Sequence, residues 1–257
     1  MRDSRLTSVP RRVVAIIPAR YASTRLPGKP LADIGGQPMI EHVYRHAREA
    51  SSVDQVLVAT DDKRIADAVA DFGGVACMTR DDHASGTDRL AEVATQLNCE
   101  LVVNLQADEP LVSGAMIDAT VTACGTHPDT MMSTLRCPLE GRQAWQDPHI
   151  VKVAVDCDDR ALFFSRAPIG LDRVTGTPTP TRVDKHIGLY VYRRAFLITL
   201  SRLKPTPLEC AERLEQLRVL EHGHRIQTTR TEQDPIGVDT PEDLDRVRQL
   251  LAAGATV

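Results

Sequence analysis

Three short segments hold the residue types that could do chemistry, and each of them points to phosphate. The first runs from Ile16 to Pro30 and reads IIPARYASTRLPGKP. Arg20, Arg25 and Lys29 reach from this one stretch, and its backbone N–H groups can add further donors. Guanidinium forks and an ammonium point charge are what a triphosphate needs around it. The stretch is no Walker loop, because Gly28-Lys29 is followed by Pro30 and the upstream glycine is missing; nor is it a GxGxxG fingerprint. The second segment, Val102 to Pro110, reads VVNLQADEP and ends in the adjacent acids Asp108 and Glu109. Neighbouring side chains on extended backbone point to opposite sides, so one acid can face a ligand while the other turns away. A carboxylate beside a bound phosphate repels it unless Mg²⁺ bridges the two. The third segment, Gly237 to Leu244, sets Asp239 just before a helix start, where the positive dipole end favours an acid and a second metal carboxylate can sit. Taken singly, the three also read as a solvated basic loop, an acid capping the next helix and an acid flanking a helix. Pairing a basic loop with acidic strand ends points to a metal–nucleotide site.

Such a site needs strand ends delivered to one edge of a sheet, which is where open α/β sheets bind ligands. Val13–Ile17 is a continuous apolar, β-branched run, as expected for a buried parallel strand. Val53–Thr60, Val75–Thr79 and Leu101–Gln106 read as further strands. Between them the pattern predicts helices from Pro38 to about Ala50, from Asp62 to about Phe72, and from a cap at Ser85 or Thr87 to about Gln96; Ser113 marks another helix start. This alternation implies right-handed crossovers and a mostly parallel sheet. After about residue 130 the rhythm changes. Met131–Pro138, Val151–Asp156, Leu162–Ser165, His186–Tyr192 and Ile226–Thr231 read as strands, the second and third as a hairpin. Residues 170–184 read as an exposed loop, and helices are expected near 193–203 and 207–222. Thr240-Pro241-Glu242-Asp243 is a helix start with Thr as N-cap, Pro at the first position and acids in the first turn. The expected organisation is a loose tail at 1–10 and a single α/β domain over 11–257. Its sheet is Rossmann-like and mostly parallel, with helices on both faces, and about 130–222 forms a β-rich insertion.

Composition narrows the partners. Apolar residues make up 42% and charged residues 26% of the 257 residues, an ordinary globular balance. Aromatic residues are only 4%, too few for a platform that stacks single-stranded nucleic acid, and the net charge of −4 argues against any general polyanion binder. Yet residues 11–29 hold five basic side chains and no acid, a local field suited to one small anion. The six cysteines show no CxxC pairing, which fits reduced, mostly buried thiols in a cytoplasmic protein. The run VVAIIPA is seven residues long, too short to span a membrane.

With these residues in view, positions 13 to about 250 resemble the 3-deoxy-manno-octulosonate (Kdo) cytidylyltransferase family, the CMP-Kdo synthetases. The likeness is carried by IIPARYASTRLPGKPL at 16–31, MTRDDHASGTDRL at 78–90, NLQADEP at 104–110, FFSRAPI at 163–169, HIGLYVYR at 186–193, LEQLRVLEHG at 214–223 and GVDTPEDL at 237–244. The resemblance implies a nucleotide-diphospho-sugar transferase fold, a cytoplasmic homodimer, and transfer of CMP from CTP to Kdo with Mg²⁺ for lipopolysaccharide synthesis. Residues 130–222 would then supply sugar-binding and dimerisation elements. It further implies that Arg20, Arg25 and Lys29 bind the CTP phosphates, that Arg80 helps hold the nucleotide, and that Asp108 and Asp239 hold Mg²⁺. Gln106, Arg166, His186, Tyr190, Glu215 and Gln216 would line the sugar-acid pocket, where a carboxylate wants Arg and hydroxyls want the rest. Position 107 is Ala where the family commonly has Gly, which lets backbone approach a ligand closely or adopt positive φ; the added methyl is harmless where φ is negative and bears on the fit of the sugar or ribose, not on the reaction class. Two other readings stay open: an acceptor such as an 8-amino Kdo or a sialic acid, and a non-catalytic nucleotide-binding regulator.

Overall fold

The structure is a computed structural model that describes residues 12–22, 26–126, 129–172, 174–176 and 182–253. The expected tail at 1–10 and Arg25 lie outside the described residues. The chain opens with β1 (Val13–Ala19) and, after a 3₁₀ turn at Lys29–Leu31, a two-residue hairpin of β2 (Asp33–Ile34) and β3 (Gln37–Pro38). Then come α1 (Met39–Glu49), β4 (Gln55–Thr60), α2 (Lys63–Asp71), β5 (Ala76–Met78), α3 (Gly86–Thr95), β6 (Leu101–Leu105) and α4 (Gly114–Thr126). The second half holds β7 (Met132–Cys137), α5 (Gly141–Gln146), β8 (Lys152–Val155), β9 (Ala161–Ser165), β10 (Val183–Arg193), α6 (Arg194–Leu200), α7 (Pro207–Glu212), α8 (Gln216–Glu221), β11 (Ile226–Arg230) and α9 (Pro241–Ala252).

The main sheet runs in the order β11-β7-β10-β6-β1-β4-β5, with β8 and β9 attached beside β10. Along that order every pairing is parallel except the two made by β10, which lies antiparallel between β7 and β6. In β1, Val13, Ala15 and Ile17 pack on one face with α1, α2 and α4, while Val14 and Ile16 pack on the other with α3, α6 and α8. Both faces are dry, which is why the strand's sequence is apolar without alternation. Residues 130–222 are woven into this sheet rather than set apart from it, because β7 and β10 occupy central positions.

Local chemistry fixes the helix starts that aim at the site. Ser85, not Thr87, caps α3, its Oγ accepting from the Asp88 N–H at 3.2 Å. Thr240 and Asp243 exchange side-chain and backbone hydrogen bonds in a capping box at the start of α9, with Pro241 in the first turn as expected. Several expectations need correction. Pro38 precedes α1 as its extended N-cap rather than opening it. The helix expected over 207–222 is two helices, broken where Arg213 takes a left-handed φ of 55°. The strand expected at 186–192 begins at Val183, taking up the end of the loop expected at 170–184, because Val183–Lys185 pair with Lys152–Ala154 of β8. Helix α5 was not expected; it is one and a half turns long, too short for periodicity, and is anchored by buried Trp145. The cysteines are not mostly buried: Cys124 and Cys137 are buried, but Cys157 lies in the β8–β9 turn and Cys210 on the outside of α7, both exposed. No disulfide joins any of the six. Among the described residues no helix is long and apolar enough to cross a membrane.

Candidate active site

A cavity of about 650 Å³ opens where β1 and β6 end and α3 begins, lined by Arg20, Lys29, Gln106, Asp108 and Asp239 together with Ser85 and Arg89. Tyr21 and Gly28, near the two ends of the basic loop, are tied together. Gly28 N–H donates to the Tyr21 carbonyl at 3.0 Å, and Gly28 adopts φ +70°, where an added Cβ would stand 3.1 Å from the Tyr21 ring. Glycine is therefore required there on two counts. The Arg64 guanidinium stacks over the Tyr21 ring, 3.3 Å from its centre. Directly after Gly28, Lys29 is carried into the cavity. Its ammonium donates to Asp108 Oδ2 at 2.5 Å, to the Val238 carbonyl at 2.9 Å and to Asp239 Oδ1 at 3.2 Å. The Val238 N–H donates back to the Asp108 carbonyl at 2.8 Å, which stitches the 237–239 segment to the end of β6. Both candidate metal acids, more than a hundred residues apart in sequence, thus converge on one cation.

The two acids that follow β6 part company, but they do so in a turn, where the Glu109 N–H donates to the Gln106 carbonyl at 3.2 Å, and not on the extended backbone expected from the sequence. Asp108 faces Lys29, whereas Glu109 turns inward with Oε2 buried and without a hydrogen-bond partner. Burial first, and then the Asp108 carboxylate, push the Glu109 pKa up to about 8. Its carboxyl lies where Cβ atoms on Gly188 or Gly237 would approach within 3.4 and 3.1 Å, so both glycines keep room for it. Ala107 lines the cavity and has no positive φ, so the methyl group in place of the family's glycine is accommodated without backbone strain.

Of the six residues expected to hold the sugar acid, Gln106 lines the cavity itself, its amide donating to Asn104 Oδ1 at 2.8 Å. The other five lie outside that lining. The His186 ring packs between Phe164 and Tyr190, at centroid separations of 5.0 and 5.4 Å, and its Nε2 meets Thr134 Oγ1 at 2.9 Å. Burial, followed by the charges on Glu215 and Glu109, raises the Tyr190 pKa. Glu215 accepts from Thr87 in the first turn of α3, which ties the α7–α8 turn to the cavity wall, and burial raises its pKa. Gln216 is buried with Nε2 unpaired, the kind of donor a ligand hydroxyl satisfies. Arg166 donates from Nε to the Glu212 carbonyl at 3.2 Å and from Nη1 to the Pro148 carbonyl at 3.1 Å.

Arg80 is not brought to this site. Its side chain is 68% exposed and pairs with Asp82 at 3.4 Å, outside the cavity. Nine residues on, Arg89 does line it, buried and held by Thr79, the Arg80 carbonyl and Asp61. The signal that could have found Arg89 is its place near the start of α3, where the helix dipole disfavours a base unless something else requires it.

The His186 environment makes a prediction. Burial lowers its pKa from 6.5 to about 3, so the imidazole stays neutral in the folded protein. A depressed folded pKa contributes stability above the unfolded value, and that stability is lost as pH falls from 6.5 toward 3. Nitrogen-15 NMR is expected to show neutral His186 down to about pH 4, and the melting temperature of His186→Gln is expected to fall less steeply below pH 6.5 than that of the parent. An imidazolium signal at pH 5.5 would contradict this.

A sequence profile described as cytidylyltransferase matches residues 14–226. A relative from Syntrophobacter fumaroxidans named 3-deoxy-manno-octulosonate cytidylyltransferase is 53% identical over 247 residues, spanning 95% of this chain and 98% of its own length. One of the same name from Syntrophotalea carbinolica is 51% identical over 241 residues, spanning 91% and 96%. A solved structure described as CMP:2-keto-3-deoxy-manno-octonic acid synthetase complexed with CTP superimposes with a TM-score of 0.89 at 43% identity, over 95% of this chain and 99% of that one.

Proposed function

This chain belongs to the 3-deoxy-manno-octulosonate cytidylyltransferase family, which moves CMP from CTP to Kdo and releases pyrophosphate, and we propose that it does so in the cavity between Arg20, Lys29, Asp108 and Asp239. The product, CMP-Kdo, supplies lipopolysaccharide synthesis. The observation that carries the site assignment is the convergence of Asp108 Oδ2, Asp239 Oδ1 and the Val238 carbonyl on a single ammonium. These are hard oxygen donors gathered around one cation, and they fit Mg²⁺, which takes one or two protein carboxylates and completes its shell with phosphate and water. Asp108 and Asp239 are the assigned ligands. Bound there, Mg²⁺ would polarise the α-phosphate and lower the pKa of the attacking hydroxyl.

The chain's own groups do the rest. Arg20 and Lys29 bind the phosphates and neutralise the departing pyrophosphate, and Arg25 joins them on the family pattern alone. Arg89 is better placed than Arg80 to hold the nucleotide. Arg166 meets the Kdo carboxylate, while Gln106, His186, Tyr190, Glu215 and Gln216 meet its hydroxyls. The anomeric hydroxyl of Kdo gives its proton to solvent, its oxygen bonds to the α-phosphorus as the bond from that phosphorus to the bridging oxygen breaks, and pyrophosphate leaves with the electron pair. Rate comes from positioning and charge stabilisation, and no side chain is assigned as a base. A cytoplasmic homodimer completes the proposal. Cysteines without disulfides fit a reducing compartment, and exposed Leu162 on edge strand β9, with Leu171 and Val174 following, offers apolar surface that a second copy can cover.

The acceptor is tested by measuring kcat/KM side by side for Kdo, 8-amino Kdo and a sialic acid with CTP. Kdo is expected to lead by roughly tenfold or more, since sites that hydrogen-bond a hydroxyl reject its replacement. Faster turnover of the amino sugar would reassign the acceptor. CTP binding without pyrophosphate release from any of the three would make the chain a nucleotide-binding regulator.

A further inference from the structure

Lys152 is a fully buried lysine. Its three ammonium hydrogens go to three backbone carbonyls, those of Asp147 at 2.6 Å, Ile150 at 2.9 Å and Arg166 at 2.9 Å. Among the described residues no carboxylate forms an ion pair with it, so its buried charge is met at contact by carbonyl dipoles alone. That is costly, and an apolar side chain of similar length would fill the same space at less cost. Burial accordingly lowers its pKa, while Asp147 and Glu212 act in the opposite sense.

What the ammonium gains is a fixed position for one residue. Lys152 holds the Arg166 carbonyl, and on the other side of the same residue the Arg166 N–H donates to Glu212 Oε2 at 2.9 Å. Glu212 also accepts from the Ser165 hydroxyl at 2.9 Å and, through its carbonyl, from Arg166 Nε at 3.2 Å. Glu212 closes α7 immediately before the left-handed Arg213 that turns the chain toward Glu215 and Gln216. Arg166 is therefore gripped at both main-chain ends, and one grip belongs to the turn that presents two further sugar-pocket residues.

We propose that Lys152 and Glu212 are positioning residues for the sugar acid: together they bracket Arg166 and lock it to the α7–α8 turn, so that the carboxylate-binding and hydroxyl-binding groups keep one spacing. The proposal rests on the reading of Arg166 as the Kdo carboxylate partner. A double-mutant cycle tests it, using Lys152→Met, Glu212→Gln, Arg166→Ala and the pairs with Arg166→Ala, with KM for Kdo, KM for CTP and melting temperature as readouts. Lys152→Met and Glu212→Gln are each expected to raise KM for Kdo roughly tenfold and to leave KM for CTP within about twofold. In the Arg166→Ala background neither is expected to raise it further, because both act through Arg166. If Arg166→Ala leaves KM for Kdo unchanged, the reading of Arg166 falls and the bracket positions nothing. If Arg166→Ala raises it while Lys152→Met and Glu212→Gln do not, or if the effects multiply, or if KM for CTP rises in parallel, Arg166 stands and the bracket is merely structural. Should Lys152→Met fail to fold, Glu212→Gln carries the same cycle from the partly exposed side.

Discussion

Asp108→Asn is expected to lower turnover about 10³-fold, a loss of about 4 kcal/mol in transition-state stabilisation, while the protein melts within a few degrees of the parent. Asn keeps the size of the side chain and removes its charge. In the folded protein Lys29 still has Asp239 Oδ1 and the Val238 carbonyl to bond, so its place in the cavity survives. The backbone tie from the Val238 N–H to the carbonyl of residue 108 is untouched as well. What disappears is one of the two carboxylates that converge on the Lys29 ammonium, and with it charge that the proposed Mg²⁺ site needs beside a triphosphate. Pyrophosphate release and a thermal melt, run together, read both halves of this expectation. Near-normal turnover would remove Asp108 from the metal site, and a large drop in melting temperature would mean that the acid is structural.

The largest stability effect is expected at Arg218, in α8. Its guanidinium donates to Glu209 twice, from Nε at 2.7 Å and from Nη2 at 2.5 Å, and reaches the Leu203 carbonyl at 3.2 Å. Both side chains are about nine-tenths buried, at 9% and 11% exposure. Burial alone would raise the Glu209 pKa, but the Arg218 hydrogen bonds outweigh it and hold the carboxyl below its usual range. The pair therefore contributes its full stability above ordinary carboxylate pKa values and loses it as pH falls below them. Arg218→Met strands the Glu209 charge between two helices, which costs roughly 3–5 kcal/mol. For a chain of this size that lowers the melting temperature by about 6–20 °C at neutral pH. Adding Glu209→Leu removes the stranded charge and is expected to recover most of the loss, less about 1 kcal/mol for the capping box that Glu209 makes with Thr206. If the single and double variants melt alike, the cost is not a stranded charge. Because Glu215 caps α8 and Gln216 opens it, Arg218→Met is also expected to loosen the proposed sugar side of the site.

The parallel half of the fold was legible because burial on both faces leaves a continuous apolar run, as in Val13–Ile17, and because caps such as Ser85 and Thr240 announce the helices between strands. The central place of β10 was not legible. Strand direction and order leave no mark on an apolar pattern, and the extra residues at Val183–Lys185 are strand only because β8 lies beside them. The break at Arg213 was hidden because Leu214, Leu217 and Leu220 keep helical spacing although Leu214 lies in the turn and only the latter two lie in α8. At the site, Arg20, Lys29, Asp108 and Asp239 could be gathered from loops at strand ends, since sheet topology sends those ends to one edge. That Lys29 would bridge both acids could not be foreseen from spacing. Nor could Lys152 and Glu212, whose partners at Arg166 are fixed only once the β8–β9 hairpin meets α7.

The central claim is that Asp108 and Asp239 present one magnesium ion to CTP while Kdo occupies the pocket of Arg166, His186 and Glu215. A crystal structure of the protein soaked with CTP, Mg²⁺ and Kdo tests it most directly. The account predicts one divalent ion touching both carboxylates and the nucleotide phosphate, with the Kdo carboxylate on Arg166. An ion held by neither acid, or a sugar acid bound away from Arg166, would contradict it.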